Sequence, residues 1–148
     1  MSDRFEAASG RRIVSRTSAE ELGNLEHLVV DAKGLRVTAL VVGKGRRALV
    51  VDWEHVSGFG PDAVMVADES ALHPPRDDRE RAAAGGKLEL VGQRVLSDVG
   101  NDLGPITDVV FDPTSGVIEA FMIDDREVDA AALLGIGSFA VIVRASAE

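Results

Sequence analysis

The sequence repeats itself, and this duplication restricts the possible folds more than any other feature of the chain. A segment that begins Gly10-Arg11-Arg12-Ile13-Val14-Ser15 returns as Gly92-Gln93-Arg94-Val95-Leu96-Ser97. One residue is then lost, and the match continues in three further pairs of segments. These are Leu22-Gly23 with Leu103-Gly104, Leu28–Asp31 with Val109–Asp112, and Thr38–Val42 with Glu119–Ile123. The second copy then lacks four residues around Gly43–Leu49 and realigns at Val51-Asp52 with Val128-Asp129, Gly58 with Gly135, Gly60 with Gly137, and Val64–Val66 with Val141–Val143. Self-similarity in one order predicts two copies of a single structural unit.

Each copy has the pattern of a small β-meander. Short runs rich in β-branched residues are separated by turns that contain Gly and Asp, which is typical of strands joined by hairpins. In the first copy these runs are Ile13-Val14, Leu25–Val30, Val37–Val42, Ala48–Val51 and Ala63–Val66. Aromatic residues make up only 4% of the chain, so we expect a core of Val, Leu, Ile and Ala.

Two kinds of turn can be predicted in both copies. Asp31–Gly34 and Asp112–Gly116 are typical of hairpin turns, in which Asp accepts from the following amides and Gly supplies a positive φ. The segments Trp53–Val56 and Ala130–Leu134 are long enough for one helical turn. Asp52 and Asp129 precede these segments and are the expected capping acceptors.

The residues between the copies differ in composition from both of them. His73-Pro74-Pro75 interrupts regular structure, and the run Arg76–Arg81 mixes charges of both signs. We therefore predict a first domain at 1–66, an exposed linker at 67–87 with a helical turn near Asp77–Ala84, and a second domain at 88–148.

Charge and composition disfavour several classes of function. The net charge of −9 and the pI near 4.8 disfavour nucleic acid and anionic membrane surfaces as partners. The chain has no Cys, which removes disulfides, thiolate metal sites and Cys nucleophiles. It shows no secretory signal and no uninterrupted apolar run of membrane-spanning length, so we expect a soluble cytoplasmic protein.

The combination of these motifs resembles the PRC-barrel family. In the first copy the resemblance is carried by Gly10-x-Arg12-Ile13-Val14, Glu21-Leu22-Gly23-x-Leu25-Glu26-His27-Leu28-Val29-Val30-Asp31, Gly34-x-x-x-x-Ala39-Leu40-Val41-Val42 and Val50-Val51-Asp52-Trp53-Glu54-His55-Val56-x-x-Phe59-Gly60. Asp52 replaces the Pro of the family's closing signature. The second copy keeps Leu103-Gly104, Asp112 and Gly116 but has Ala130 where the Trp stands.

The resemblance implies an all-β fold of two small, partly open barrels in tandem. Related domains occur in the photosynthetic reaction-centre H subunit and in the ribosome-maturation factor RimM, and they carry no catalytic residue set. The resemblance therefore implies a protein-interaction module without cofactors. A domain of about 60 residues is marginally stable alone, which favours packing of the two barrels on each other or self-association, for example as a homodimer.

Polar residues in both copies favour structural roles over chemistry. The three histidines, His27, His55 and His73, have no second His or Cys at metal-ligand spacing. The acid pairs Glu20-Glu21, Asp77-Asp78 and Asp124-Asp125 lack the alternation of a calcium loop. Ser15 and Ser97 recur without a His partner, and neither Gly43–Gly45 nor Gly58–Gly60 precedes a convincing helix. We predict no catalytic residue and no metal site.

One asymmetry between the copies marks a candidate partner-binding corner. Trp53, His55 and Phe59 occur only in the first copy, where the second has Ala130, Ala132 and Ile136. Aromatic side chains are enriched at binding hot spots, although Trp53 filling the end of its own barrel explains the same pattern.

Three hypotheses for function follow from the sequence and the resemblance. The first is a non-enzymatic scaffold or adaptor that binds a protein partner or itself. The second, by analogy with the reaction-centre domain, is an accessory protein linked to a small ligand or to electron transfer. The third is a ribosome-assembly adaptor, which the acidic charge disfavours.

Overall fold

The computed structural model describes residues 2–137 and 139–148, and strands dominate this part of the chain. The strands are β1 Asp3–Arg4, β2 Arg12–Ser15, β3 Glu21–Asp31, β4 Arg36–Val42, β5 Leu49–Asp52, β6 Val56–Phe59, β7 Val64–Val66, β8 Leu72–His73, β9 Arg94–Ser97, β10 Asp102–Pro105, β11 Asp108–Phe111, β12 Ile118–Ile123, β13 Arg126–Asp129, β14 Leu133–Ile136 and β15 Ala140–Val143. Two short α-helices, α1 Phe5–Ala8 and α2 Asp78–Ala84, accompany them. In the described residues, no helix has the length and apolar character needed to cross a membrane.

The two copies have the same strand pairing, which confirms the predicted duplication and the all-β fold. In each copy the first and last strands pair in parallel, β2 with β7 and β9 with β15. The aligned residues occupy matching positions, since Ile13 pairs with Val64 and Val95 pairs with Val141. Antiparallel neighbours extend each pair into a curled sheet, and the result is a partly open barrel in each repeat.

The first barrel has one continuous sheet, whereas the second is divided into two. The order in the first is β6-β7-β2-β3-β4-β5-β8, and the second has the sheets β10-β9-β15-β14 and β1-β11-β12-β13. The single long strand β3 spans both halves of its barrel and has a register shift between Leu25 and His27. In the second copy the chain leaves regular pairing at the equivalent point, between β10 and β11.

The predicted hairpin turns are present, with one correction. Asp31 Oδ1 accepts a hydrogen bond from the Lys33 amide, and Asp112 accepts from the Thr114 amide in the same way. Gly116 has a φ of +80°, as expected. In the first copy, however, the positive φ of +48° belongs to Leu35 and not to Gly34. The prediction for Gly34 was wrong because Leu35, one residue later, is the positional equivalent of Gly116.

Single helical turns follow β5 and its counterpart β13, as predicted. They are 3-10 turns at Trp53–His55 and Ala130–Ala132. Asp129 caps the second turn by accepting from the Ala131 amide. Asp52 makes no such bond, because its carboxylate is held by Arg76 and His73 instead. The predicted capping role is therefore confirmed for Asp129 and wrong for Asp52.

Residues 67–87, predicted as an exposed linker, lie against the first barrel. The strand β8 pairs with β5, and α2 packs on the outer face of β3 and β5. The predicted helical turn is α2, whose N-terminus is capped by Asp77. Ala83 of this helix is buried in a small cluster with Val29, Ala39, Val41, Ala48 and Val50. The sequence boundaries of the two domains stay a prediction, but this segment completes the first sheet.

The two barrels share one hydrophobic core across an approximate two-fold axis. Buried residues of both repeats, such as Ile13, Leu40, Val95 and Phe121, belong to a single cluster. At the contact between the repeats, the Val37 amide donates to the Gly116 carbonyl and the Ile118 amide donates to the Leu35 carbonyl. The two hydrogen bonds are equivalent to each other, because Val37 corresponds to Ile118 and Leu35 corresponds to Gly116. Exchanging the two repeats therefore turns one bond into the other, as a two-fold axis does.

Candidate functional site

The aromatic corner predicted in the first repeat lies at the contact between the repeats. Trp53 stacks on Phe59 with ring centroids 5.7 Å apart, and Phe59 meets Phe111 of the second repeat edge to face at 5.4 Å. Phe5 approaches the same Phe111 ring at 5.4 Å. Phe59 is only 8% exposed. Phe59 is therefore buried between Trp53 of its own repeat and Phe111 of the second, while Trp53 stays half-buried.

Charged groups complete this aromatic cluster. The Arg11 guanidinium lies 5.3 Å from the centre of the Phe59 ring and donates to the Gly60 carbonyl at 2.9 Å. It also pairs with the Asp3 carboxylate at 2.7 Å. A cation over a ring face and a paired carboxylate stabilise a partly buried arginine. His55, the third residue of the predicted corner, is exposed on the outside of this cluster.

Asp52 is the centre of the densest polar network in the described chain. Its carboxylate accepts two hydrogen bonds from Arg76, at 2.7 and 2.8 Å, and lies 3.2 Å from His73 Nε2. Burial alone favours the neutral acid, but the bonds from Arg76 and His73 outweigh it and lower the pKa of Asp52. Glu80 accepts from the Arg76 amide at 2.8 Å. The network ties the segment 67–87 to the end of β5.

Two groupings in this region have the residue types of a metal site. Asp52, His73 and Glu80 offer ligand atoms within 4.8 Å of one another, as do Asp52, Glu54 and His55. The first grouping already encloses the Arg76 guanidinium, which supplies the positive charge that the two carboxylates require. A cation bound there would have to displace Arg76, so we assign the grouping a structural role.

The remaining residues considered from the sequence hold turns together. Ser15 Oγ accepts from the Ser18 amide, and Ser97 Oγ accepts from the Asn101 amide in the second repeat. Both serines are buried at the same position of their repeats. His27 pairs with Glu89, which joins β3 to the start of the second repeat. These contacts account for the recurrence of the serines without any chemistry.

Exposed apolar side chains lie elsewhere, and the sequence reasoning missed them. In the described chain, the large hydrophobic residues with exposed side chains all fall in the second half: Leu88, Val99, Val117, Leu134 and Phe139. Phe139 is 80% exposed and Leu134 is 51% exposed. The repeat alignment contained a signal for these two residues, because Phe139 corresponds to the polar Asp62 of the first copy and Leu134 corresponds to the polar Ser57.

Comparison with known protein families agrees with the geometry. The family model of the PRC-barrel domain matches the chain twice, at residues 8–72 and 89–143. The chain belongs to the PRC-barrel family. The two matches cover most of the sequence and coincide with the two barrels, so the protein is a tandem of PRC-barrel domains. A search of curated proteins found no match.

Proposed function

We propose that this PRC-barrel tandem is a non-enzymatic adaptor that binds another protein, or a second copy of itself, through the second repeat. The observation that carries the proposal is that the exposed large apolar side chains of the described residues all belong to the second half of the chain, with Phe139 and Leu134 on the β14–β15 hairpin. Exposed apolar side chains that lie together mark interaction sites. Ser15 and Ser97, the residues that recur in both copies as possible nucleophiles, are engaged in turns, which supports a binding role without chemistry.

Comparison between the repeats supports a binding role for two of these apolar side chains. Leu134 and Phe139 correspond to Ser57 and Asp62, which stand at the equivalent positions of the same fold in the first repeat. The fold thus accepts a polar residue at these positions in one copy, and we attribute the apolar residues of the other copy to binding.

The local structure suits addition of a strand. The strand β14, which contains Leu134, lies at one edge of the sheet β10-β9-β15-β14. Within the part of the chain that the structure describes, β14 pairs with β15 and with no strand on its other edge. Edge strands can pair with an extended segment of a partner, with alternate side chains giving specificity.

The test is a double variant that gives the second repeat the residues of the first, Leu134→Ser with Phe139→Asp. We expect the native protein either to sediment as a dimer or to retain a specific protein from native lysate, and the variant to lose that association while its circular dichroism is unchanged. Ser57→Ala in the first repeat is the matched control. A strictly monomeric native protein that retains no partner, or a variant that associates as well as the native chain, contradicts the proposal.

A further inference from the structure

A cavity of about 410 Å³ is lined by residues of both repeats and of the segment between them. Its lining includes Val30, Leu88, Leu90, Gln93, Ile136 and Gly137. Arg79, which lies 3.8 Å from Asp31, and Glu89, which pairs with His27, supply charge at its wall. The volume is in the range of small-molecule sites.

The repeat equivalence shows that this cavity is the counterpart of the aromatic cluster. Val30 corresponds to Phe111, and Ile136 corresponds to Phe59. On one side of the axis the two Phe rings contact each other at 5.4 Å. On the other side the smaller Val30 and Ile136 line the cavity. Two ring-bearing side chains have thus been replaced by aliphatic ones at equivalent places.

The polar residues of the two sites correspond in the same way. Arg11 matches Gln93, and Gly60 matches Gly137. Arg11 reaches across Phe59 to the Gly60 carbonyl, whereas Gln93 and Gly137 both line the cavity. The residue equivalent to Phe5 is Lys87, which is exposed and supplies no ring. The space that the aromatic cluster fills with rings is therefore left open on this side.

Gln93 lines the cavity, and its side chain carries a hydrogen-bonding group without a partner. Its Oε1 is buried and has no hydrogen-bond partner among the described residues. A buried acceptor without a hydrogen bond is unfavourable, so a donor brought to it gains free energy. The terminal torsion of a Gln side chain is soft, and Oε1 loses no existing bond when the amide turns. The amide can thus offer Oε1 to a donor placed in the cavity.

We propose that this cavity binds a small molecule with one aromatic ring and a hydrogen-bond donor on that ring, such as a phenol or an indole. The ring occupies the place that Phe59 and Phe111 fill on the other side, in contact with Val30 and Ile136, and its O–H or N–H donates to Gln93 Oε1. The proposal is independent of protein binding by the second repeat, because it needs neither Leu134 nor Phe139.

The experiment follows the methyl resonances of Val30, Leu90 and Ile136 in the full-length protein during titration with phenol, indole and benzene. We expect saturable shifts confined to the cavity methyls, and weaker binding of benzene than of phenol. Gln93→Leu should weaken phenol binding about three- to tenfold, the loss of one hydrogen bond, and leave benzene binding unchanged.

Filling the cavity provides the second arm. Ile136→Phe, which restores the residue of the first repeat, should abolish phenol binding, and Leu134→Phe on the same strand should leave it intact. If Ile136→Phe does not fold, Val30→Phe serves the same purpose. The proposal is overturned if neither phenol nor indole causes saturable shifts. It is also overturned if phenol binds Ile136→Phe, or Val30→Phe in its place, as well as it binds the native protein. Association of the protein with a partner is measured separately and is unaffected by either result.

Discussion

At the scale of single residues, the contact between the repeats depends on a glycine that the sequence marked only as a turn residue. A Cβ added to Gly116 would lie 2.9 Å from the Val37 carbonyl oxygen and 3.2 Å from the Trp53 ring. Gly116 also has a positive φ, which costs a residue with a side chain about 1 to 2 kcal/mol. The turn was predictable from Asp112–Gly116, but the close approach to Trp53 required the second repeat to be placed against the first.

We predict that Gly116→Ala destabilises the protein by about 2 kcal/mol or more, as backbone strain adds to steric overlap. Urea unfolding followed by circular dichroism measures the change. Gly100→Ala is the matched control, because Gly100 also has a positive φ but a Cβ there meets nothing within 4 Å. Equal destabilisation by the two variants would show that the contact with Trp53 and Val37 carries no energy.

Asp52 provides a pH-dependent prediction at the same scale. Its pKa is lower in the folded protein than in the unfolded chain, so ionised Asp52 stabilises the fold at neutral pH, and this contribution is lost as the pH falls through the lowered pKa. Asp52→Asn should lower the melting temperature at pH 7, and the difference from the native protein should close below about pH 4.

The control for this prediction is Asp129→Asn, at the equivalent position of the second repeat. Asn retains the capping of the Ala131 amide, so we expect little change at any pH. The groups that face Asp52 are His73 and Arg76, and Arg76 also meets Glu80. A difference between native protein and Asp52→Asn that stays constant down to pH 2 would contradict the assignment.

At the scale of elements, the sequence predicts strands well and their surroundings poorly. The apolar runs and the Gly and Asp turns fix most strands, because the period of two and the turn chemistry are local properties. The strand β6 was not among the predicted runs, since Ser57 and Gly58 have weak strand propensity. The docking of α2 was also missed, because Ala82, Ala83 and Ala84 appear as spacer residues until a flat sheet face is known to lie beneath them.

We predict that Ala83→Asp detaches α2 from the first sheet. Ala83 is 4% exposed against Val29, Val41 and Val50, and a carboxylate buried there without a partner is costly. The protein should lose about 2 to 3 kcal/mol of stability, and amide exchange should accelerate in α2. Arg81→Asp places the same side chain on the exposed part of the helix and should cost less than about 1 kcal/mol. Equal exchange rates in α2 for the native chain and Ala83→Asp would refute the docking.

At the scale of the whole molecule, the duplication gives two barrels that act as one body. Of the candidate partner-binding corner Trp53, His55 and Phe59, the structure packs Phe59 against Phe111 of the second repeat and stacks Trp53 on Phe59. The apolar surface that stays exposed is on the second repeat, at Leu134 and Phe139. The sequence could not predict which apolar residues are covered and which stay exposed. The covered face of each repeat depends on how the other repeat docks on it, and this is not a property of the local sequence pattern.

The shared core makes unfolding cooperative across both repeats. Urea unfolding should be followed by the methyl resonances of Val41 and Val50, which are buried in the first repeat, and by those of Val141 and Val143, which are buried in the second. We predict one transition, with the same midpoint for both probes and the same dependence on urea. Two separate transitions, with one repeat unfolding while the other keeps its native signals, would contradict the account of a single core built from two copies.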